Sequence, residues 1–388
     1  MNILAQNITK ALQNVLPKEQ KLFPLHEPFF NGNEWEYVKE CIDTGWVSST
    51  GKFVDKFEEM LAQYTGSQYA VAVVNGTAAL HICLELAGVT NNDEVFIPAL
   101  SFVATANAVS YCGAIPHFVD SDEKSLGIDP VKLEDYLNDI ALIRSQQCIN
   151  KITGRRIKAI VPVHTFGHPV DLDALKDICN RYALVLVEDA AESLGSFYKG
   201  CHTGTYGRLS AISFNGNKTV TTGGGGAILT NDRALAEQAK HLTTTAKKPH
   251  KWDYFHDTIG YNFRMPNINA ALGCAQLEVL PKMIEIKRKL SNMYESAFRS
   301  VEGVTFFTEP EYAKSNYWLN SITLNTPSDH NMRIILESLH SSGILARPAW
   351  KLLYLLPAFN KNPKMDLSFD ERVSLSLINI PSSASLCA

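Results

Sequence analysis

No two of the eight cysteines (Cys41, Cys83, Cys112, Cys148, Cys179, Cys201, Cys274 and Cys387) stand in a Cys-x-x-Cys or comparable pairing, and no apolar run is long enough for a membrane span. The scattered thiols argue against a disulfide framework and fit a reducing compartment. Asn, Gln and Lys interrupt every apolar stretch of the opening MNILAQNITKALQNVLP, so neither a signal-peptide core nor a membrane anchor is expected, and the chain is placed in the cytoplasm. Basic charge is not in excess either. Lys+Arg 36 against Asp+Glu 40 gives a formal net charge of -4, without the basic stripe that a phosphate backbone requires, so nucleic acid is not an expected partner. Internal repeats and low-complexity tracts are missing, and no metal-ligand set is expected.

What remains is a 388-residue chain, 45% hydrophobic and 20% charged, the balance of a folded protein with one large or two moderate domains. From Gln68 to Asp232 short apolar runs alternate with amphipathic segments, the pattern of strand-helix-strand units and a mostly parallel α/β sheet. Tyr69 to Val74 reads as a buried strand, Asn75-Gly76-Thr77 as turn and cap chemistry, and Ala78 to Ala87 as a helix stopped at Gly88. Comparable units follow at Glu94 to Ile97 with a helix to Cys112, and at Ala159 to Val163 with a helix from Leu172 to Arg181 and a strand Leu184 to Val187. Two further strands, Ser210 to Phe214 and Ala227 to Thr230, flank a loop holding four consecutive glycines. Beyond Asn267 the chain turns long-helical, with a break or bend expected near Pro281, and ends in a smaller α+β unit with a strand near Trp318 to Leu324 and a helix near Met332 to Ser341. The expected division is 1–262 for the N-terminal segment and large domain and 263–388 for the smaller domain.

Three features carry chemistry. Asp189 closes an apolar strand at its carboxyl end, where open α/β sheets bind ligands, although a helix N-cap is an equal reading. Lys218 lies in ISFNGNKTVTTGGGGAILT, where Gly223 to Gly226 permit close backbone packing beneath a bound group and a desolvated amine suits Schiff-base chemistry; most loop lysines are merely solvated. Gly76 and Thr77 open a helix whose unpaired N–H groups and positive dipole end can hold a phosphate, with Ser213 adding a hydroxyl, although most capped helices hold nothing. Phosphate cradle, strand-end acid and lysine are together the anchors that pyridoxal phosphate requires, and Phe102 is the candidate aromatic lid, though such a residue is more often core.

In seven blocks the sequence resembles the fold-type I aminotransferases of nucleotide-linked keto-sugars, the DegT-type family: GWVSSTGKFVDKFEE (Gly45 to Glu59), NGTAAL (Asn75 to Leu80), PALSFVATANAV (Pro98 to Val109), VHTFGHPVDLD (Val163 to Asp173), VEDAAESLGS (Val187 to Ser196), SFNGNKTVTTGGGG (Ser213 to Gly226) and GYNFRMPNINAALGCAQL (Gly260 to Leu277). The resemblance implies pyridoxal 5'-phosphate as cofactor, Lys218 as its covalent lysine and catalytic base, Asp189 at the pyridine nitrogen, Phe102 on the ring, and Gly76, Thr77 and Ser213 at the phosphate. It also implies a homodimer in which Asn262 reaches the neighbouring subunit's phosphate. Glu192 stands where many members carry Gln or His against the cofactor's phenolic oxygen, and a protonated carboxyl is needed for the equivalent role. Glu192, SFNGNK and the all-glycine block look most like the branch making UDP-linked 4-amino-4,6-dideoxy-N-acetyl sugars, as in the bacillosamine and legionaminic acid pathways. The implied substrates are L-glutamate and UDP-4-keto-6-deoxy-N-acetylglucosamine, with a 3-amino or GDP-sugar (perosamine-type) aminotransferase, or a non-catalytic cofactor-binding regulator, as alternatives. Sugar 3-dehydratases of this fold replace the lysine with histidine, so Lys218 speaks against that activity. Sugar-nucleotide contacts are sought at Trp46, Ser48, His164, His168 and His256.

Overall fold

A computed structural model describes residues 3–387. Its main sheet contains β1 (Tyr69–Val73), β2 (Glu94–Pro98), β3 (Ile115–Val119), β4 (Arg156–Ile160), β5 (Val185–Asp189), β6 (Leu209–Ser213) and β7 (Gly226–Thr230), in the spatial order β1-β7-β6-β5-β4-β2-β3. Only β7 runs antiparallel to its neighbours on this path, pairing with β1 and β6; the remaining pairs are parallel. This is the fold-type I, mostly parallel architecture that the sequence implies. Every residue of β2 and β7 is buried, as expected for strands covered on both faces.

Period-two alternation divides the strands between two cores. Val71 and Val73 join the helix Gly76–Leu86 on one face, whereas Ala72 of the same strand joins Ile212, Ala227 and the helix Lys52–Thr65 on the other. There Phe57 meets Phe214 edge to face, with ring centroids 5.0 Å apart. The helix Asn267–Phe298 runs through Pro281 without a break. Of the expected break or bend, the break does not occur: Leu280, Met283 and Ile284 on both sides of the proline are buried in the same core, whose packing outweighs the lost hydrogen bond.

That helix carries the chain into a third core, where Leu290, Tyr294 and Phe298 meet Ile8 and Leu12 of the helix Ile3–Val15. The adjoining sheet of β8 (Val304–Phe306), β9 (Asn320–Leu324), β10 (Arg347–Pro348) and β11 (Leu377–Ile380) is antiparallel, in the order β8-β9-β11-β10. The helix Ile3–Val15 therefore packs with the C-terminal unit, and a division after residue 262 is retained as a proposal. Strand β3, the helices Pro130–Ile140 and Arg233–Thr243, and the hairpin Ala141–Arg144 with Gln147–Asn150 were not foreseen. Among the described residues no helix is long and apolar enough to cross a membrane.

Among the contacts that hold the C-terminal unit against the sheet edge, one is built on a pair of buried acids. Asp120, just beyond β3, accepts from the N–H groups of Phe369 and Asp370 at 3.2 and 2.9 Å and from Lys132 Nζ at 2.5 Å. Asp370 accepts in turn from Leu100 N at 3.2 Å, two residues before Phe102. Burial first, and the facing Asp120 second, push the Asp370 carboxyl from 3.8 up to about 8. The folded chain therefore binds this proton more tightly than the unfolded chain does. Its contribution to stability is complete below the ordinary aspartate range and is lost as pH rises through about 8. Between pH 5 and 8.5 the urea midpoint of the wild type is expected to fall, and Asp370→Asn, which keeps the acceptor for Leu100 N, is expected to flatten that decline; parallel declines in the two proteins would refute the assignment.

Candidate active site

The carboxyl edge of the parallel strands gathers the chemistry. Strand β5 ends at Asp189, which accepts from Thr105 Oγ1 at 2.8 Å and from Ala191 N at 3.2 Å. Burial raises its carboxyl above the ordinary range, while the Thr105 hydroxyl, the Ala191 N–H and the Lys218 charge act against that rise. Thr105 sits in the helix Val103–Tyr111, whose N-cap is Phe102, so the same turn presents an aromatic ring and orients the acid. The Phe102 side is open: the residue is 53% exposed, and its nearest aromatic neighbour is Trp350, with centroids 6.4 Å apart.

Lys218 enters from the loop between β6 and β7. That loop folds back on itself through Phe214 N to Gly225 O at 2.8 Å and Thr222 N to Phe214 O at 3.0 Å, and Gly223 takes φ +77°. The Lys218 ammonium lies 3.2 Å from Glu192 Oε1, and Glu192 Oε2 accepts from Phe166 N at 2.9 Å. Phe166 adopts φ +56°, a strained setting for a bulky residue, in the turn that delivers this N–H. Burial raises the Glu192 carboxyl, and Lys218 and the Phe166 N–H oppose the rise.

A third wall is a helix mouth. Asn75 caps the helix Gly76–Leu86 by accepting from Ala78 N at 2.8 Å, which leaves the N–H groups of Gly76 and Thr77 ahead of the first intrahelical bond. Gly76 is required by close approach, since a Cβ there would stand 2.8 Å from Ser213 Cβ. One cavity of about 340 Å³ is lined by Gly76, Thr77, Phe102, Asp189, Glu192, Ser213 and Lys218. Lys218 is the only cation among its lining residues. Trp318 and Trp350 from the C-terminal unit and Asn215 and Asn217 from the glycine-rich loop also line it; of these four, only Asn215 and Asn217 had a local signal, being part of SFNGNK.

The other candidate residues lie elsewhere. His164 is fully buried and paired through Nε2 with Glu188 Oε2 at 3.0 Å, while Nδ1 accepts from Val170 N. His168 is equally buried, edge to face with Phe307 and Tyr317, and burial, then the nearby Arg288 charge, lower its ring to about 3. Neither ring lines the cavity, which corrects their expected role at the sugar nucleotide. Trp46 and Ser48 serve Asn267 with their backbone carbonyls, at 2.7 and 2.6 Å. His256 is exposed, bonded through Nδ1 to Thr245 O, and Asn262 is exposed in a bridge to Thr244. Within one chain these four side chains stay outside the cavity.

The profile of the DegT/DnrJ/EryC1/StrS aminotransferase family matches residues 30–388. The chain is 39% identical to EpsN of Bacillus subtilis over 341 residues, 87% of this chain and 83% of that protein. It is 37% identical to GDP-perosamine synthase of Escherichia coli O157:H7 over 367 residues, 94% of each chain. Among solved structures it is similar to Helicobacter pylori PseC, an aminotransferase involved in the biosynthesis of pseudoaminic acid, with a TM-score of 0.84, 28% identity and 94% of each chain covered. Members of the family use pyridoxal phosphate, and the cavity suits that group: free helix N–H groups for an anion, a glycine where no Cβ fits, a buried acid and one amine. On sequence and on fold alike, the chain belongs to the DegT/DnrJ/EryC1/StrS aminotransferase family.

Proposed function

We propose that this sugar aminotransferase moves an amino group from L-glutamate to the C4 ketone of a nucleotide-linked 4-keto-6-deoxy sugar, in the cytoplasm and for cell-surface polysaccharide synthesis. The observation that carries the reading is the convergence of one amine, Lys218, with two buried carboxyl groups, Asp189 and Glu192, beside a helix mouth in a single cavity. Pyridoxal phosphate, when bound, supplies an electron sink for the Cα–H bond of the amino donor. The N–H groups of Gly76 and Thr77 and the Ser213 hydroxyl would hold its phosphate, Phe102 would cover its ring and Asp189 would face its ring nitrogen. Glu192, whose carboxyl burial raises above the ordinary range, would face its phenolic oxygen and in its protonated form would donate toward it. Lys218 would hold the cofactor covalently and, once displaced, would carry the proton as general base and acid.

The GDP-perosamine synthases among the relatives support a GDP-linked keto-sugar better than the UDP-linked N-acetyl sugar that SFNGNK and the glycine block suggest. A shared-site homodimer is part of the proposal. Asn262 and His256 lie on a surface with exposed Trp252, Tyr254 and Phe255, a face suited to a second copy.

The test is the visible absorption band of the cofactor-loaded protein. L-glutamate is expected to bleach it, and a GDP-linked 4-keto-6-deoxy sugar is expected to restore it. Restoration by the UDP-linked sugar alone would overturn the nucleotide choice, and a band indifferent to glutamate would overturn the donor and favour the regulator. Lys218→Ala should lose at least about 10²–10⁴-fold in turnover through the proton-transfer role alone. Thr105→Val, which removes one hydrogen bond to a charged acceptor, should weaken cofactor binding about tenfold or more, read by equilibrium titration; unchanged affinity would take the hydroxyl out of the site.

A further inference from the structure

Trp318 touches the Asn217-Lys218 pair twice with one ring. Its indole face lies 3.8 Å, centroid to Nζ, from the Lys218 ammonium, and its Nε1–H donates to Asn217 O at 2.8 Å across 101 residues of sequence. The ring is itself held from several sides. Trp318 N donates to Asn316 Oδ1 at 2.8 Å, and Asn316 Nδ2 donates to Glu192 O and Leu194 O, both at 2.9 Å. Asn316 packs tightly against the large unit, where a Cβ on Gly167 would stand 1.9 Å from its Oδ1. Tyr317, between them, takes φ +47°, and the buried Lys287 donates to Trp318 O at 3.3 Å. A bulky residue keeps such a backbone only where its surroundings over-determine it.

An amine that must leave a covalent link, stay beside the reacting carbon and return needs a resting place, because its four-carbon stem is flexible. An aromatic face attracts a cation without bonding to it irreversibly. We propose that Trp318 is a positioning residue for Lys218: its indole face holds the ε-amino group whenever that group is not covalently committed, and its N–H pins the Asn217 carbonyl in the peptide that leads into Lys218. The purpose rests on the aminotransferase reading, whereas the contacts belong to the chain alone.

The test uses the full-length chain freed of cofactor. In Trp318→Leu, acylation of Lys218 relative to the exposed Lys361, followed by mass spectrometry at fixed pH, should accelerate about two- to fivefold. The factor should be the same for acetic and for the bulkier succinic anhydride. No acceleration, or one that depends on reagent size and so reports only an opened cavity, overturns the proposal. Trp318→Phe keeps an aromatic face and most of the volume but loses the N–H; hydrogen exchange of the peptide spanning Asn215 to Thr219 should then quicken several-fold, and unchanged exchange removes the pin. If both results hold but glutamate leaves the loaded protein's absorption unchanged, the Trp318 assignment stands and the aminotransferase reading falls.

Discussion

One amine set against two buried carboxyl groups is the interaction on which the rest of the site depends. Burial raises both Asp189 and Glu192, and the Lys218 charge opposes the rise in each, joined at Asp189 by His164. Carboxyl groups taken out of water are costly unless charge or hydrogen bonds compensate. Here the compensation comes partly from backbone N–H groups, those of Ala191 and Phe166, and partly from the Thr105 hydroxyl. The site thus keeps two acids side by side, both biased by burial toward their neutral forms, with Asp189 held by Thr105 and Ala191 and Glu192 held by Phe166 and Lys218.

The fold supplies this arrangement by bringing distant segments to one edge. Parallel pairing places the ends of β2 and β5 on the same side, and the antiparallel β7 returns the glycine-rich loop to that edge. The register Val73 opposite Gly226 seats the loop directly on the Asn75 turn, where a Cβ on Gly226 would come within 2.4 Å of the Asn75 carbonyl carbon. The C-terminal unit adds Trp318 and Trp350, and the unbroken helix Asn267–Phe298 fixes that unit to the main sheet. Family membership gives a sugar aminotransferase, and the cavity geometry suits the cofactor of that family.

Much of this was legible in the residues. Buried strands announce themselves as uninterrupted apolar runs, and Asp189 was marked because the carboxyl end of such a run is where open α/β sheets bind ligands, with a helix N-cap as the equal reading. Gly223 to Gly226 marked the Lys218 loop for the same kind of reason, since a glycine run signals close backbone approach. Trp318 and Trp350 carried no local signal: their place in the cavity depends on how the C-terminal unit docks, which no window of sequence records. His164 and His168 show the converse error. A histidine next to a motif looks like a ligand contact, yet His164 is held in a buried pair by Glu188, 24 residues away, and His168 by two aromatic rings. The break allowed for at Pro281 does not occur either, because the buried side chains around it outweigh its local preference.

The central claim is that Lys218 alone carries the cofactor. The most direct measurement is borohydride reduction of the pyridoxal-phosphate-loaded protein, followed by proteolysis and mass spectrometry of the pyridoxyl-modified peptides. The account predicts a single modified peptide containing Lys218, and none in Lys218→Ala. A stoichiometric label on any other lysine, or no label on a protein that retains the cofactor, would contradict it.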